Sequence, residues 1–403
     1  MARKLLSILL AVLLVFSLLP GTGAYALDEG LTFSDMPDNW AREALERAVA
    51  NGLLVGDGGR IMPDSPLTRA QMATIITRAF GATEEEDISE YTDVKSTDWF
   101  ASSMAKAYKM GVMQGYERKM DPNSNITREQ VFVVIAKALK LEPVSVINKA
   151  FEDLDEISGW AKAHVYAMVN AGYIQGTNGK LNPKGYITRA EFAQMMHNII
   201  RQYIRTEGIY TKVDDGNILV SVPGVTLKNV TINGDLIVGD GVGEGDLVLD
   251  NVTIKGRLVV RGGGVNSIIV VGGNIESKVV IAKVDGNIRI LVEDGADVDV
   301  IVVDDGKDAV IIEGDTDTVV VNVPDVPVII RKGKIKRIEV SCRESADITI
   351  DEDAEVEDVV IGSDSRRSAL KVKGRVSNVE TSASNTRIFG TGTVGTVNVN
   401  EDA

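Results

Sequence analysis

The sequence is poor in cysteine, histidine and aromatic residues. Among its 403 residues there is one cysteine, Cys342, there are two histidines, and aromatic residues make up 5%. A single cysteine excludes a disulfide framework. Cys342 follows the strand-like run Arg337 to Ser341, which favours a small buried hydrophobic residue over a nucleophile. The histidines, His164 and His197, lie in the other half of the chain.

The sequence also lacks an excess of positive charge. It has 58 acidic and 43 basic residues, for a net charge of −15. This balance argues against a nucleic-acid partner, because phosphates require clustered Lys and Arg, and against binding to an anionic membrane surface. An anionic ligand would therefore need local cationic sites. The hydrophobic fraction of 44% is that of a folded protein, and the length allows about two or three domains.

Long hydrophobic runs are missing except at the N-terminus. A basic pair precedes the apolar run Leu5 to Leu19, and a small-x-small cleavage site follows at Ala24-Tyr25-Ala26. We expect residues 1–26 to be a signal peptide, with an uncleaved anchor as the alternative, although the run is short for a span of about 20 residues. Segment 397–403 has no hydrophobic sorting tail, so we expect a folded domain to attach the protein to the cell surface.

Residues 33–205 contain one pattern three times. Each copy has an opening Asp, an aromatic-Ala pair, an apolar stretch, a Gly-x-x-x-Gly, a proline-bearing turn and a Thr-Arg motif before a second apolar helix. The spacing between the second Gly and the motif Arg is identical in every copy. Trp99 precedes Phe100, which we align with the other tryptophans, and each aromatic is either a ligand contact or part of the core.

The Thr-Arg motif predicts the start of a helix. Thr followed three residues later by Gln or Glu is a capping box, with Thr68, Thr127 and Thr188 as N-caps. The Arg then occupies the first helical position, where a cation opposes the helix dipole. This favours an anion shared between each Arg and its helix N-terminus. The alternative is that each Arg pairs with an acidic residue of its own copy, such as the opening Asp.

The pattern resembles the S-layer homology family over residues 33 to about 200. The resemblance implies a pseudo-threefold helical bundle whose grooves bind secondary cell wall polysaccharide, typically through pyruvylated amino sugars. It also implies ligand contacts from the motif Arg, the opening Asp, the first-helix aromatic and a loop Gly. These positions are Arg69, Arg128, Arg189, Asp35, Asp93, Asp153, Trp40, Trp99, Trp160, Gly56, Gly115 and Gly176.

The second half carries a different repeat. Short Val/Ile/Leu runs begin near Arg205, and segment 227–238 matches segment 249–260 position by position. This predicts a parallel β-solenoid of about nine coils, a rod of roughly 40 Å, with Asn229 and Asn251 at equivalent positions. A β-sandwich is the alternative, because later runs drift from the period. The predicted fold class is α + β, multidomain.

Catalytic chemistry is scarce in the second half. Residues 206–403 contain no His and no Trp, and the carboxylates lie mostly in turns. We therefore expect no enzyme and no cofactor, with calcium on clustered carboxylates as an open alternative. The rival function is a wall-anchored polysaccharide hydrolase or lyase. A cleft with two facing carboxylates and an Arg or Lys favours that rival, whereas a smooth stacked surface favours a structural role.

These observations predict a secreted bacterial surface protein. The expected units are a signal peptide (1–26), three repeats (27–85, 86–145, 146–205) and a solenoid-like domain (206–403). The repeats would attach the protein non-covalently to cell wall polysaccharide, and the solenoid would act as a spacer or display module. Self-association into an S-layer lattice is a close variant. Neither nucleic acid nor, after signal cleavage, a membrane is an expected partner.

Overall fold

The computed structural model describes residues 33–293 and 295–400. The predicted signal peptide, 1–26, lies outside the described residues. Six helices are followed by a parallel β-solenoid of about 10 turns over residues 200–399. The predicted fold class is therefore confirmed, and the β-sandwich alternative is wrong.

The helices pack as a closed bundle of three pairs. The second helix of each repeat packs against the first helix of the next, giving the pairs α2 with α3, α4 with α5, and α6 with α1. Their buried side chains form one hydrophobic core. The bounds are α1 Arg42–Ala50, α2 Arg69–Phe80, α3 Ala101–Lys109, α4 Arg128–Ala138, α5 Gly159–Asn170 and α6 Arg189–Ile199.

The solenoid is built from 21 strands, paired in parallel, within the described residues. Inward Val, Ile and Leu side chains stack into a second core that runs along the rod. The strands are β1 Ile200–Ile204, β2 Gly208–Tyr210, β3 Asn217–Val220, β4 Val225–Lys228, β5 Thr231–Ile232, β6 Leu236–Val238, β7 Leu247–Ile254, β8 Leu258–Val260, β9 Ile269–Ile275, β10 Val279–Ala282, β11 Ile288–Val292, β12 Ala296–Val298, β13 Val300–Asp305, β14 Val310–Glu313, β15 Thr316–Val321, β16 Pro327–Val340, β17 Asp347–Ile361, β18 Ala369–Val372, β19 Arg375–Thr381, β20 Arg387–Gly390 and β21 Thr393–Val399.

The coils are not of equal length. Leu236 pairs with Ile218 in the coil before it and with Leu258 in the coil after it, and the second interval is longer than the first. Many later coils, such as the one from Val319 to its partner Ile338, are also shorter than the repeat seen in the sequence. The chain therefore makes about 10 turns rather than nine. The same variation explains why the later strands drift from the period.

The predicted asparagine stack is confirmed. Asn229 and Asn251 both adopt left-handed backbone conformations, with φ of 53° and 55°. The Nδ2 of Asn251 donates a hydrogen bond of 2.8 Å to the Oδ1 of Asn229. Asn tolerates this conformation better than most residues, so one corner of the rod is turned by the same residue in successive coils.

The two halves share a core. Helix α6 ends at Ile199 and β1 begins at Ile200, so residues 200–204 lie in the first coil. The outward side chains of Leu219, Ile237 and Val259 belong to the hydrophobic core of the bundle. The solenoid therefore does not hang from a linker but packs directly against the helices.

Cys342 is buried, as predicted, and burial raises the pKa of its thiol. A buried thiol of raised pKa is a poor nucleophile.

Across residues 33–293 and 295–400, none of the helices is both long and apolar enough to cross a membrane.

Candidate functional site

The three repeats close into a ring at the start of their second helices. The N–H of Leu67 donates to Ile187 O at 3.0 Å, that of Ile126 donates to Leu67 O at 2.9 Å, and that of Ile187 donates to Ile126 O at 3.4 Å. All three residues are buried. The motif residues that follow are therefore arranged around one pseudo-threefold axis.

The predicted helix caps are confirmed in all three repeats. Thr68, Thr127 and Thr188 each accept a hydrogen bond from the backbone N–H three residues on, and the Gln or Glu there completes the capping box. Gln71 and Gln130 serve as well as Glu191, because an amide oxygen also accepts from the N-cap N–H.

The predicted anion site at the helix N-terminus is wrong. The Arg69 N–H donates to Ser124 O at 2.9 Å, and the next N–H, of Ala70, donates to Pro122 O at 2.9 Å. The other two motif helices donate in the same way to the repeat that follows them in the ring. Since the third N–H binds the capping Thr, the first three amides of each helix are already satisfied and cannot hold a ligand.

The motif arginines also reach across to the next repeat. Arg69 donates from Nε to Met120 O at 2.8 Å and from Nη2 to Gln114 O at 3.0 Å. Arg189 donates in the same way to Ile61 O at 2.7 Å and Val55 O at 2.8 Å. We refer to the surfaces around Arg69 and Arg189 as the first and third grooves; each lies between two repeats rather than within one.

The second groove differs from the other two. Arg128 donates from Nε to Leu181 O at 2.9 Å, but its Nη1 lies 3.3 Å from a carboxylate oxygen of Glu191. Among the described residues, the Nη1 atoms of Arg69 and Arg189 have no hydrogen-bond acceptor. The second groove therefore offers a guanidinium that is already partly neutralised.

The opening aspartates hold the loops of their own repeats. The Asp93 carboxylate accepts from the N–H groups of Met120 at 2.9 Å and Asp121 at 2.8 Å. Asp35 and Asp153 accept two loop N–H groups each in the same way. The alternative that each motif Arg pairs with its own opening Asp is also wrong. Instead the charges that act on Arg69 come from Asp121 and then Asp93, both in the next repeat.

The tryptophans are on the surface rather than in the core. Trp40, Trp99 and Trp160 are 61%, 67% and 59% exposed. Phe100 is buried and is the N-cap of α3, as Ala41 is of α1, so our alignment of Phe100 with the tryptophans is wrong. The correct alignment was already visible in the sequence, because Trp99 precedes Gly111 by the same interval as Trp40 precedes Gly52.

The loop glycines allow close packing by the opening aromatic residue. A Cβ on Gly56 would lie 2.1 Å from the Phe33 ring, and one on Gly115 would lie 2.2 Å from the Tyr91 ring. Gly176 faces Phe151 in the same way at 2.7 Å. These glycines shape the loops that supply carbonyls to the motif arginines.

Sequence reasoning missed several surface residues near the grooves. Tyr116 and Tyr186 are exposed aromatic side chains on the loops of repeats two and three. The buried Glu129 accepts from the Ser158 N–H at 2.9 Å and from Lys184 Nζ at 2.6 Å. These residues do not recur in the other repeats, so a search for shared positions could not find them.

The solenoid carries a separate charged groove. It has a volume of about 670 Å³ and crosses five coils. Lys336 lies 2.5 Å from Asp317, and Asp315 accepts from the N–H of Lys334 at 2.8 Å. The residues that line it include Asp297, Asp299, Asp315, Asp317, Lys334, Lys336, Glu355, Glu357 and Arg375. Within residues 33–293 and 295–400, no cluster of three or more His, Cys, Asp or Glu side chains is arranged to hold a metal ion.

The ring of three repeats thus presents exposed tryptophans and motif arginines near the N-terminal ends of its helices. Residues 32–73, 90–132 and 150–193 each match the S-layer homology domain. The N-terminal half thus consists of three tandem S-layer homology domains, as the sequence predicted. Such domains, with surface-layer relatives, mark the chain as a cell-surface protein associated with the cell wall.

Curated relatives share mainly this half. The chain is 31% identical to exoglucanase XynX of Acetivibrio thermocellus over 191 residues, 46% of this chain and 18% of the relative. It is 30% identical to an amylopullulanase of Thermoanaerobacterium thermosulfurigenes over 183 residues, 44% of this chain and 10% of the relative. It is 29% identical to the surface-layer 125 kDa protein of Lysinibacillus sphaericus over 230 residues, 55% of this chain and 19% of the relative. The chain therefore spans about a fifth or less of these relatives.

Proposed function

We propose that the three grooves bind an acidic polysaccharide of the cell wall, typically a pyruvylated one, and hold the protein there without a covalent bond. The observation that carries this proposal is the unused Nη1 of Arg69 and Arg189 in a protein of net charge −15. A guanidinium donates charge-assisted hydrogen bonds to carboxylate groups. The exposed indoles supply flat apolar surfaces of the kind on which sugar rings stack.

The proposal assigns unequal roles to the grooves. The first and third have a guanidinium edge free for ligand, whereas Glu191 competes for that edge in the second. We therefore expect the second groove to bind an acidic sugar more weakly. A long polymer that occupies more than one groove would still bind tightly through avidity.

The rest of the chain completes a surface protein. We propose that residues 1–26 direct secretion and are removed, and that the solenoid serves as a structural spacer or display module. A close variant of this role is self-association of the protein into an S-layer lattice. The proposal is supported by the surface-layer relative and by a rod built of stacked coils.

The test replaces Trp40, Trp99 and Trp160 together by Ala and measures cosedimentation with purified cell walls. A tryptophan at a binding hot spot contributes about 2 kcal/mol or more, which is about 30-fold in affinity for each groove. Because the three indoles are exposed, the melting temperature should change little. Phe389→Ala, which removes an exposed aromatic side chain from the rod, is the matched control. Wall affinity equal to that of the unmodified chain would reject the proposal.

Substitution of the motif arginines is a poorer test. Arg69 and Arg189 each donate two hydrogen bonds to the neighbouring repeat, so Ala would weaken the ring as well as the groove. Lys at the same positions keeps the charge but loses the planar fork. A binding loss in these variants has meaning only beside an unchanged thermal melt.

We further propose that the solenoid is not an enzyme. In its charged groove, Lys336 lies between the acidic coils of Asp317 and Glu357 and pairs with Asp317. The rival function, polysaccharide cleavage, is favoured by the facing carboxylates and lysines of the same groove. Incubation of the full chain with wall polysaccharide should release no reducing or unsaturated sugars. Release that Asp317→Asn abolishes would establish the rival.

A further inference from the structure

The helices contact the solenoid through their C-terminal ends. Gly81, after α2, lies against Gly241, and Lys109, at the end of α3, is 2.7 Å from Asp285. Lys140, after α4, is 2.7 Å from Asp305, and α6 continues directly into β1. The tryptophans and motif arginines lie at or just before the opposite, N-terminal ends. At a rise of about 1.5 Å per residue these helices are about 14–18 Å long, so the grooves stand about that far from the rod.

Arginines of the solenoid cap these helix ends. Arg257 donates to the carbonyls of Lys140 at 2.7 Å and Leu139 at 3.1 Å. Arg261 donates to the Met110 carbonyl at 3.1 Å, and Arg205 donates to the Arg78 carbonyl at 3.1 Å. The last carbonyls of a helix lack intrahelical partners, and the negative end of the dipole attracts cations. The rod thus stabilises the bundle at α2, α3 and α4.

Two of these arginines are fixed by carboxylates of the solenoid itself. The guanidinium of Arg257 donates two hydrogen bonds to the Asp235 carboxylate, at 3.1 and 2.6 Å. Arg261, whose side chain is 0% exposed, bonds Asp240 in the same way. Because each guanidinium is held on both sides, the contact has little freedom to rotate. The bundle and the rod therefore keep one relative orientation.

The burial of one column of outward-facing side chains shows how far the bundle extends along the rod. The registered column runs from Tyr203 through β3, β6, β8, β10 and β13, and then through β15, β16, β17, β19 and β21. Its first six members are apolar or aromatic and buried, whereas the later ones become more exposed and partly charged. The members are Tyr203, Leu219, Ile237, Val259, Val280, Val302, Val320, Glu339, Val360, Glu380 and Asn398.

This footprint lies on the side of the rod rather than at its end. It covers six successive rungs, and neighbouring strands are about 4.8 Å apart, so it extends roughly 24 Å along the rod. The helices therefore stand across the rod axis, with their grooves on the far side. The later rungs of the same column extend beyond the bundle as an overhang.

We infer that the solenoid lies lengthwise along the wall. The column that contains Glu339 and Glu380 faces the wall across a gap of about the height of the bundle. This inference rests on the proposed wall binding by the grooves. The strands β18 and β20 belong to another face of the rod, which takes part in none of the polar contacts with the helices described above. That face is turned away from the wall and toward the medium.

The experiment compares two single-cysteine reporters on the full chain. Glu380→Cys lies on the wall-facing column and Arg387→Cys lies on β20, and both positions are exposed. The native Cys342 is buried, so the unmodified chain gives the background. Each variant is labelled with a bulky polyethylene glycol maleimide, first free and then bound to purified walls.

We expect wall binding to abolish most labelling of Glu380→Cys and to leave that of Arg387→Cys nearly unchanged. A reagent wider than the gap cannot enter it. Equal protection of the two sites, or stronger protection of Arg387→Cys, on protein that does sediment with walls would overturn the orientation alone. Failure of the chain to sediment would reject the proposed function, and the orientation with it.

Discussion

The two halves of the chain use repetition differently. In the helical half, each motif helix donates its first N–H groups to the next repeat, and the third repeat returns to the first. In the solenoid, coils stack in line, and each pairs mainly with the coils before and after it. A linear stack tolerates coils of different length, whereas a closed ring requires every member. The helical repeats are therefore interdependent, whereas the coils are separable.

The largest expected effect comes from breaking the contact between the halves. Arg257→Ala removes the cap of α4 and leaves the largely buried Asp235 without its partner. Loss of one partner of a buried ion pair costs about 3–5 kcal/mol. We expect this loss in the free energy of unfolding measured by urea denaturation, with early unfolding of the helices.

Arg375→Ala is the control for that change, because it removes an exposed arginine from the later coils. A surface substitution of this kind changes stability by about 0.5 kcal/mol or less. Similar losses in the two variants would show that the bundle does not depend on the rod.

Next in size is a change that tests the loop beside the first groove. In Gly115→Ala, the new methyl group would lie 2.2 Å from the Tyr91 ring and 2.5 Å from Lys119 O. Overpacking of this kind costs about 1–3 kcal/mol. Gly159→Ala is the matched control, because its methyl group would meet nothing within 4 Å and it lies in α5. A thermal melt should show a loss in the first variant only.

A smaller effect follows from removing one helix cap. Thr127→Ala deletes the hydroxyl that accepts the Gln130 N–H, which costs about 1 kcal/mol. The exposed Thr396 of the last strand has no such role, so Thr396→Ala should leave stability unchanged. If chemical denaturation gives the same small change for both, the caps do not contribute to the ring.

The smallest expected effect is on pH dependence. Burial, and then the nearby Lys137 ammonium, lower the pKa of His164 below its ordinary value of 6.5. Below about pH 6.5 this histidine is protonated more readily in the unfolded state than in the folded state. The free energy of unfolding therefore falls as the pH drops through this range. His164→Gln should reduce the slope of the melting temperature between about pH 7 and pH 5, and His197, whose pKa burial also lowers, should contribute part of the slope that is left. An unchanged slope in that variant would assign the dependence to other groups.

Much of the fold followed from local patterns in the sequence. Capping boxes depend on residues three apart, and solenoid coils depend on apolar runs between turns, so both can be recognised without tertiary information. The failed expectation at the helix N-termini has a tertiary cause. Ser124 and Pro122, which satisfy the amides of Arg69 and Ala70, belong to the next repeat, and no local pattern predicts that pairing.

The sequence also contains a signal of the contact between the two halves, and the predictions above did not use it. Leu236-Ile237-Val238 and Leu258-Val259-Val260 are apolar at three successive positions, and all are buried. Later strands alternate, as in Ile348-Thr349-Ile350, where only the outer two are buried. A continuous apolar run indicates a strand covered on both faces. The signal is incomplete, because Val319-Val320-Val321 and Val359-Val360-Ile361 are equally continuous although Val320 and Val360 lie beyond the bundle and are only half-buried.

The ring of Leu67, Ile126 and Ile187 also limits how such a gene can change. Loss of the DNA that encodes one repeat would leave two copies that cannot close, with helix amides facing no carbonyl. Gain of a fourth copy would leave that copy outside the circle. Inheritance should therefore preserve these repeats in threes, whereas the number of coils beyond the bundle is free to vary between lineages.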